Sequence, residues 1–91
     1  MLSEYYVASF HTVSQALRFE KELQTNSIVV KMIPVPRIIS SSCGIAARFE
    51  TADYNSVLSL LEKGACEAHE LYLFTHEGKK PRAQRVWQAQ N

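Results

Sequence analysis

The sequence is poor in the residues that most site chemistries need: two cysteines, three histidines and one tryptophan in 91 residues. No C-x-x-C pair occurs, and His11, His69 and His76 have no metal-ligand spacing, so neither a metal site nor a cofactor is expected. No run approaches the roughly 20 apolar residues of a membrane-spanning helix. The opening MLSEYYVASF carries Glu4 and lacks the apolar core of a secretory signal. The expectation is a cytoplasmic chain with no membrane contact, in which Cys43 and Cys66 stay reduced. A net charge of +1 gives no general attraction to nucleic acid, and none is expected as a partner.

What remains is enough for one small domain. A chain of this length buries roughly 60–65% of its surface, so its stability is modest unless it dimerises. Its charge is uneven. Through residue 75 there are six lysines and arginines against eight acidic residues; from His76 onward Lys79, Lys80, Arg82 and Arg85 face only Glu77. This divides the chain into a body, residues 1–75, and a basic tail, residues 76–91. The AQRVWQAQ segment of the tail is expected to add a short helix with frayed ends, anchored by Val86 and Trp87.

Periodicity orders the body. Residues 4–10, EYYVASF, read as a strand. Thr12 with Gln15 three residues later is a capping-box signature, and Val13, Ala16, Leu17, Phe19 and Leu23 share one arc of the helix that follows. Residues 28–33 form a second strand that Pro34 and Pro36 end, since neither can donate to a ladder. GIAARFE is a third strand, with Ile45, Ala47 and Phe49 on one face and Ala46 and Arg48 on the other. Thr51 opens a second helix along Tyr54, Val57, Leu58 and Leu61, which stops near Gly64. Residues 68–74 are the fourth strand. The order β-α-β-β-α-β is the split βαβ of an α+β, ferredoxin-like domain: four antiparallel strands with two helices on one face. Its open face would carry Arg48 near Lys31, with Tyr6, Phe10, Tyr72 and Phe74 as an apolar surface suited to pairing two copies.

The segment IPVPRIISSSCGIAARF, residues 33–49, holds the most distinctive chemistry. A free cysteine is commonly a small buried hydrophobe. Around Cys43, however, stand Ser40, Ser41 and Ser42, which are poor core residues, in a connection at the sheet end. Gly44 lets the backbone bend and present N–H groups, and Arg37 lies close enough in sequence to fold back. Such surroundings favour the thiolate, the reactive form. Cys66, at a helix C-terminus, reads as filler. Glu20 sits inside the apolar arc of the first helix, where it either holds Arg37, Arg48 or the cysteine loop, or emerges at the arc's edge.

Pro34, Pro36 and Arg37 followed by Ser42, Cys43 and Gly44, in this order, resemble the signature of a small bacterial family described as Se/S carrier protein-like. The resemblance spans roughly residues 5 to 74. It implies a carrier that holds sulfur or selenium on Cys43 as a persulfide or selenopersulfide. Arg37, Ser41, Ser42 and Gly44 would stabilise the terminal anion, Pro34 and Pro36 would shape the loop, and Glu20 and Arg48 would support it. Protein donors and acceptors of the chalcogen would be its partners; the carrier itself would be a substrate of enzymes rather than an enzyme. The alternative is a non-catalytic binding or regulatory dimer in which the loop around Arg37 and Gly44 takes an anionic ligand. A carrier needs the sulfur; a binder needs only the loop's shape.

Overall fold

The computed structural model describes residues 3–39 and 41–90. Its elements are β1 (Ser3–Ser9), α1 (Val13–Thr25), β2 (Val30–Pro34), β3 (Ile45–Phe49), a 3-10 turn (Thr51–Asp53) leading into α2 (Tyr54–Glu62), β4 (Glu70–Glu77) and β5 (Lys80–Gln88). The strands form one antiparallel sheet in the order β2-β3-β1-β4-β5.

Alternation along the strands divides the residues between two faces. On one side Ala8, Phe10, Ala47, Phe49 and Leu71 join Ala16, Phe19 and Leu23 of α1 and Val57, Leu60 and Leu61 of α2 in one buried cluster. Both helices therefore cover the same face. Phe10 packs edge-on against Phe19, with ring centroids 5.2 Å apart. At α1, Thr12 Oγ1 accepts the Gln15 N–H, while Gln15 Oε1 accepts the N–H of His11, one residue earlier than a strict capping box.

Three expectations are corrected. The sheet has five strands, not four: the segment expected as a tail with a short helix is β5, paired with β4 from Glu77↔Lys80 to Glu70↔Gln88. Pairing with β4 and two apolar anchors explain it. Val86 and Trp87 pack on the helix-side core, and a bulge between Leu71 and Tyr72 adjusts the register. Second, Val13 and Leu17 are about half exposed, leaving Ala16, Phe19 and Leu23 as the buried stripe of α1. Third, Tyr6 and Phe10 lie on the helix side; Tyr72 and Phe74 share the other face with Tyr5 and Val7. The apolar centre of that second face is already covered, because Ile39, from the connection between β2 and β3, packs on Val7, Ala46 and Phe74. That packing covers the centre of the face, around which Tyr5, Ile33 and Tyr72 stay partly exposed.

Candidate functional site

The connection from Val35 to Gly44 is built as a closed loop. Its neck is the Val35 N–H donating to the Gly44 carbonyl at 3.2 Å. Past Pro36 the chain turns, with the Ile39 N–H donating to the Pro36 carbonyl at 3.2 Å; Arg37 and Ile38 are exposed at the tip while Ile39 is buried. Pro36 suits this position because its missing N–H is not required there.

The second half of the loop is tied to the end of β1. Ser41 Oγ donates to the Phe10 carbonyl at 2.7 Å, and Ser42 Oγ donates to the His11 carbonyl at 3.2 Å. Gly44 has φ +76°, and a Cβ there would meet no atom within 4 Å, so the demand for glycine is conformational rather than spatial. Ser40 lies outside the described residues.

These ties set the position of Cys43. Its side chain is half-buried against the helix-side core. The Cys43 N–H donates to Ser41 Oγ at 3.5 Å, and Ser41 Oγ also lies 3.5 Å from Sγ. The thiol donates to the Ile45 carbonyl at 3.1 Å, a contact that only the protonated form makes. Residues 42 and 43 form a turn that brings the Gly44 N–H back toward the Ser41 carbonyl.

Of the residues singled out from sequence, Ser41, Ser42 and Gly44 thus stand with Cys43, and Pro34 and Pro36 frame the turn. Pro34 is the last residue of β2, opposite Ile45. Arg37 is exposed at the turn tip, with no hydrogen bond or ion pair among the described residues. Glu20 is half-buried and likewise has no bonded partner there, consistent with the edge of the helix arc. Arg48 lies on the face away from the helices, opposite Lys31, its guanidinium 3.8 Å from the centre of the Tyr5 ring. No hydrogen bond joins Arg37, Glu20 or Arg48 to Cys43 among the described residues.

Sequence reasoning missed the link to histidine. Ser42 holds the His11 backbone, and the His11 and His69 rings meet at a tilt of 48° with centroids 4.0 Å apart. The contact joins the loop to the start of β4 and had no sequence signal, since these residues are far apart in the chain. Also missed was the pairing of Glu70 on the face away from the helices. Burial raises the Glu70 carboxyl, but hydrogen bonds from Tyr72 (2.6 Å) and Arg85 (3.0 Å), with His69 nearby, outweigh it and hold the group below its ordinary range. Among the described residues no three histidine, cysteine or acidic side chains are placed to hold a metal ion.

Cys66 has a different setting. It is 1% exposed, and burial, reinforced by Glu22 and Glu67 against Arg18, pushes its thiol up to about 11. It also borders a shallow groove of about 690 Å³ between α2 and the end of β5, lined by Leu58, Leu61, Ala68 and Trp87; Cys43 is not part of it.

Fold and site define a small α+β protein with one sequestered thiol and one thiol placed in a hydroxyl-rich loop at the sheet end. The family model described as "Putative Se/S carrier protein-like" matches residues 5–73, and the chain belongs to that family. No curated protein and no solved structure matches the chain. Among the described residues no helix is long and apolar enough to cross a membrane.

Proposed function

We propose that the protein carries sulfur or selenium on Cys43 between a donor and an acceptor protein in the cytoplasm. The observation that carries this reading is the contrast in access: Cys43 sits half-buried in a loop with Ser41 at its sulfur, while the other thiol is enclosed. The β2-β3-β1-β4 portion of the sheet and its two helices support a ferredoxin-like scaffold, extended by β5.

The transfer is thiol–chalcogen exchange. Cys43 gives up its proton, and the thiolate attacks the outer sulfur of a persulfide on the donor. A new S–S bond forms at Cys43, the donor's S–S bond breaks, and its electron pair leaves on the donor thiolate. Delivery repeats the step with the acceptor as nucleophile. No net oxidant is consumed, because the transferred sulfur is already at the sulfane level.

The bonds around Cys43 support the following roles. The thiol must leave the Ile45 carbonyl, since neither a thiolate nor a persulfide inner sulfur can donate to it. Ser41 and Ser42 spend their protons on Phe10 and His11, so in the empty carrier they position the loop. The Gly44 N–H closes the turn toward the Ser41 carbonyl and would have to leave it to meet the terminal anion. Arg37 enters this reading as a cation that the exposed turn brings to the complex with a partner.

The same loop supports a second reading, a binding module in which the Cys43 S–H is only a structural donor to Ile45. Intact-mass measurement separates them. After incubation with a cysteine desulfurase and cysteine, the carrier gains the mass of sulfur reversibly under reductant, and Cys43→Ser gains none. A binding module gains no reducible mass, and its Cys43→Ser form keeps its ligand.

A further inference from the structure

The face away from the helices carries cations in two different settings. Arg85, from β5, is neutralised by Glu70 at 3.0 Å. Lys31 and Arg48 are not. They are direct cross-strand partners on β2 and β3, and no ion pair reaches either among the described residues. Like charges directly opposite one another destabilise a sheet. Glu50, past the end of β3, forms no ion pair among the described residues. The Arg48 guanidinium lies over Tyr5, which itself stacks on Phe74 and His76 and bonds His76 Nε2 through its hydroxyl at 2.8 Å. Arg48 is therefore held in place, while Lys31 is exposed.

The turn of the cysteine loop adds a third cation on this side. Val35 and Ile39 pack into the cluster of this face, so the turn between them lies over it and presents Arg37 with Ile38, which is 49% exposed. The turn is preorganised by Pro36 and by the buried Ile39, which lowers the entropy lost on binding. Cations without carboxylates, beside an exposed isoleucine, complement an acidic surface with apolar side chains.

We propose that Lys31, Arg48 and the Arg37–Ile38 turn form a docking surface for an acidic, apolar segment of a partner protein. The proposal rests on the carrier reading for its purpose: it separates the charges that grip the partner from the thiol, which faces the helix side at the sheet end. The aromatic rings do not make this a nucleic-acid reader, because the Tyr5 face is occupied by Arg48 and the strand centre is covered by Ile39.

The probe is a short peptide of alternating glutamate and leucine, titrated into the isotopically labelled protein and followed by amide chemical shifts. Shifts are expected at Tyr5, Lys31, Arg37, Ile38 and Arg48, weakening as salt is raised. Lys31→Gln with Arg37→Gln, both at exposed side chains, should weaken binding about tenfold. Arg48→Gln should do the same, but its stacking on Tyr5 makes the exposed pair the safer variant for folding. No shift on this face, unchanged affinity in the Lys31/Arg37 variant, or tighter binding of an oligouridylate would overturn the proposal. Loading of Cys43 from a small persulfide donor is measured in parallel in wild type and in Lys31→Gln alone, and should be equal in the two. Loss of loading in wild type counts against the carrier reading, whereas loss of peptide binding alone counts against the docking surface.

Discussion

Cys43 and Cys66 touch the same helix-side core, yet their surroundings do opposite things. Cys66 belongs to the buried cluster and has carboxylates of Glu22 and Glu67 near it. Cys43 packs against that cluster from outside, through a loop tied to β1 by serine hydroxyls. The difference lies in what a negative sulfur would meet. At Cys66 it would meet low polarity and like charge. At Cys43 it would lose one carbonyl contact and lie at the edge of the core, near the Ser41 hydroxyl. One thiol lies inside the core; the other lies at its edge.

The largest test of this contrast is alkylation. With iodoacetamide near pH 7.5, Cys43 should react at least about a hundredfold faster than Cys66, because the thiolate is the nucleophile and burial limits both its formation and access. Cys66 should become reactive only in denaturant. Comparable rates in the folded protein would remove the distinction.

The next effect is on alkaline stability. The folded-state value of Cys66, about 11, lies above its ordinary 9.0, so the folded chain holds that proton more tightly. This contribution is complete below about pH 9 and is lost as pH rises through about 11, a change on the order of 2 kcal/mol. Tyr72, pushed up to about 12 by burial and its bond to Glu70, titrates in the same direction, so the measurement is a comparison. Denaturant midpoints of Cys66→Ala should fall less over this range than those of wild type.

Glu70 supplies the acid-side counterpart, on the other face. Its folded-state carboxyl is held below its ordinary value, so its stabilising contribution is present above about pH 4.5 and is lost as pH falls through the folded value. Glu70→Gln should cost about 1–2 kcal/mol at neutral pH, and the gap from wild type should close in acid.

The serines sharpen the comparison on the smallest scale. Ser41→Ala removes the short bond to Phe10 and should cost about 1 kcal/mol, lowering Tm by roughly 4–8 °C. Ser42→Ala, at an exposed site, should cost no more than about 0.5 kcal/mol. Equal effects would mean that Ser41 does not set the loop's position.

The sequence was most readable where one period dominated. Alternation in GIAARFE separated Ile45, Ala47 and Phe49 from Ala46 and Arg48 as the structure does, and Thr12 marked the start of α1. Cys66 was legible as filler from its place after Gly64. The fifth strand was hidden because a segment rich in lysine and arginine, with a proline near its start, has few apolar anchors; its identity depends on β4 as a template and on Val86 and Trp87 reaching the core. Leu17 lies outside the buried stripe because Ala16, Phe19 and Leu23 alone face the sheet. Arg37 was expected beside Cys43 from sequence proximity. The burial of Ile39 sends the turn over one face while Cys43 packs toward the other, and that division depends on contacts with β1 and β4.

The central claim is most directly tested by competition between the two thiols in one sample. The protein is loaded by a cysteine desulfurase, blocked with an alkylating reagent, and cut with trypsin, which places Cys43 in residues 38–48 and Cys66 in residues 64–79. The account predicts that the added chalcogen is found on the first peptide, with the second unmodified until the protein is denatured. Chalcogen shared between the two peptides, or absent from residues 38–48, would contradict it.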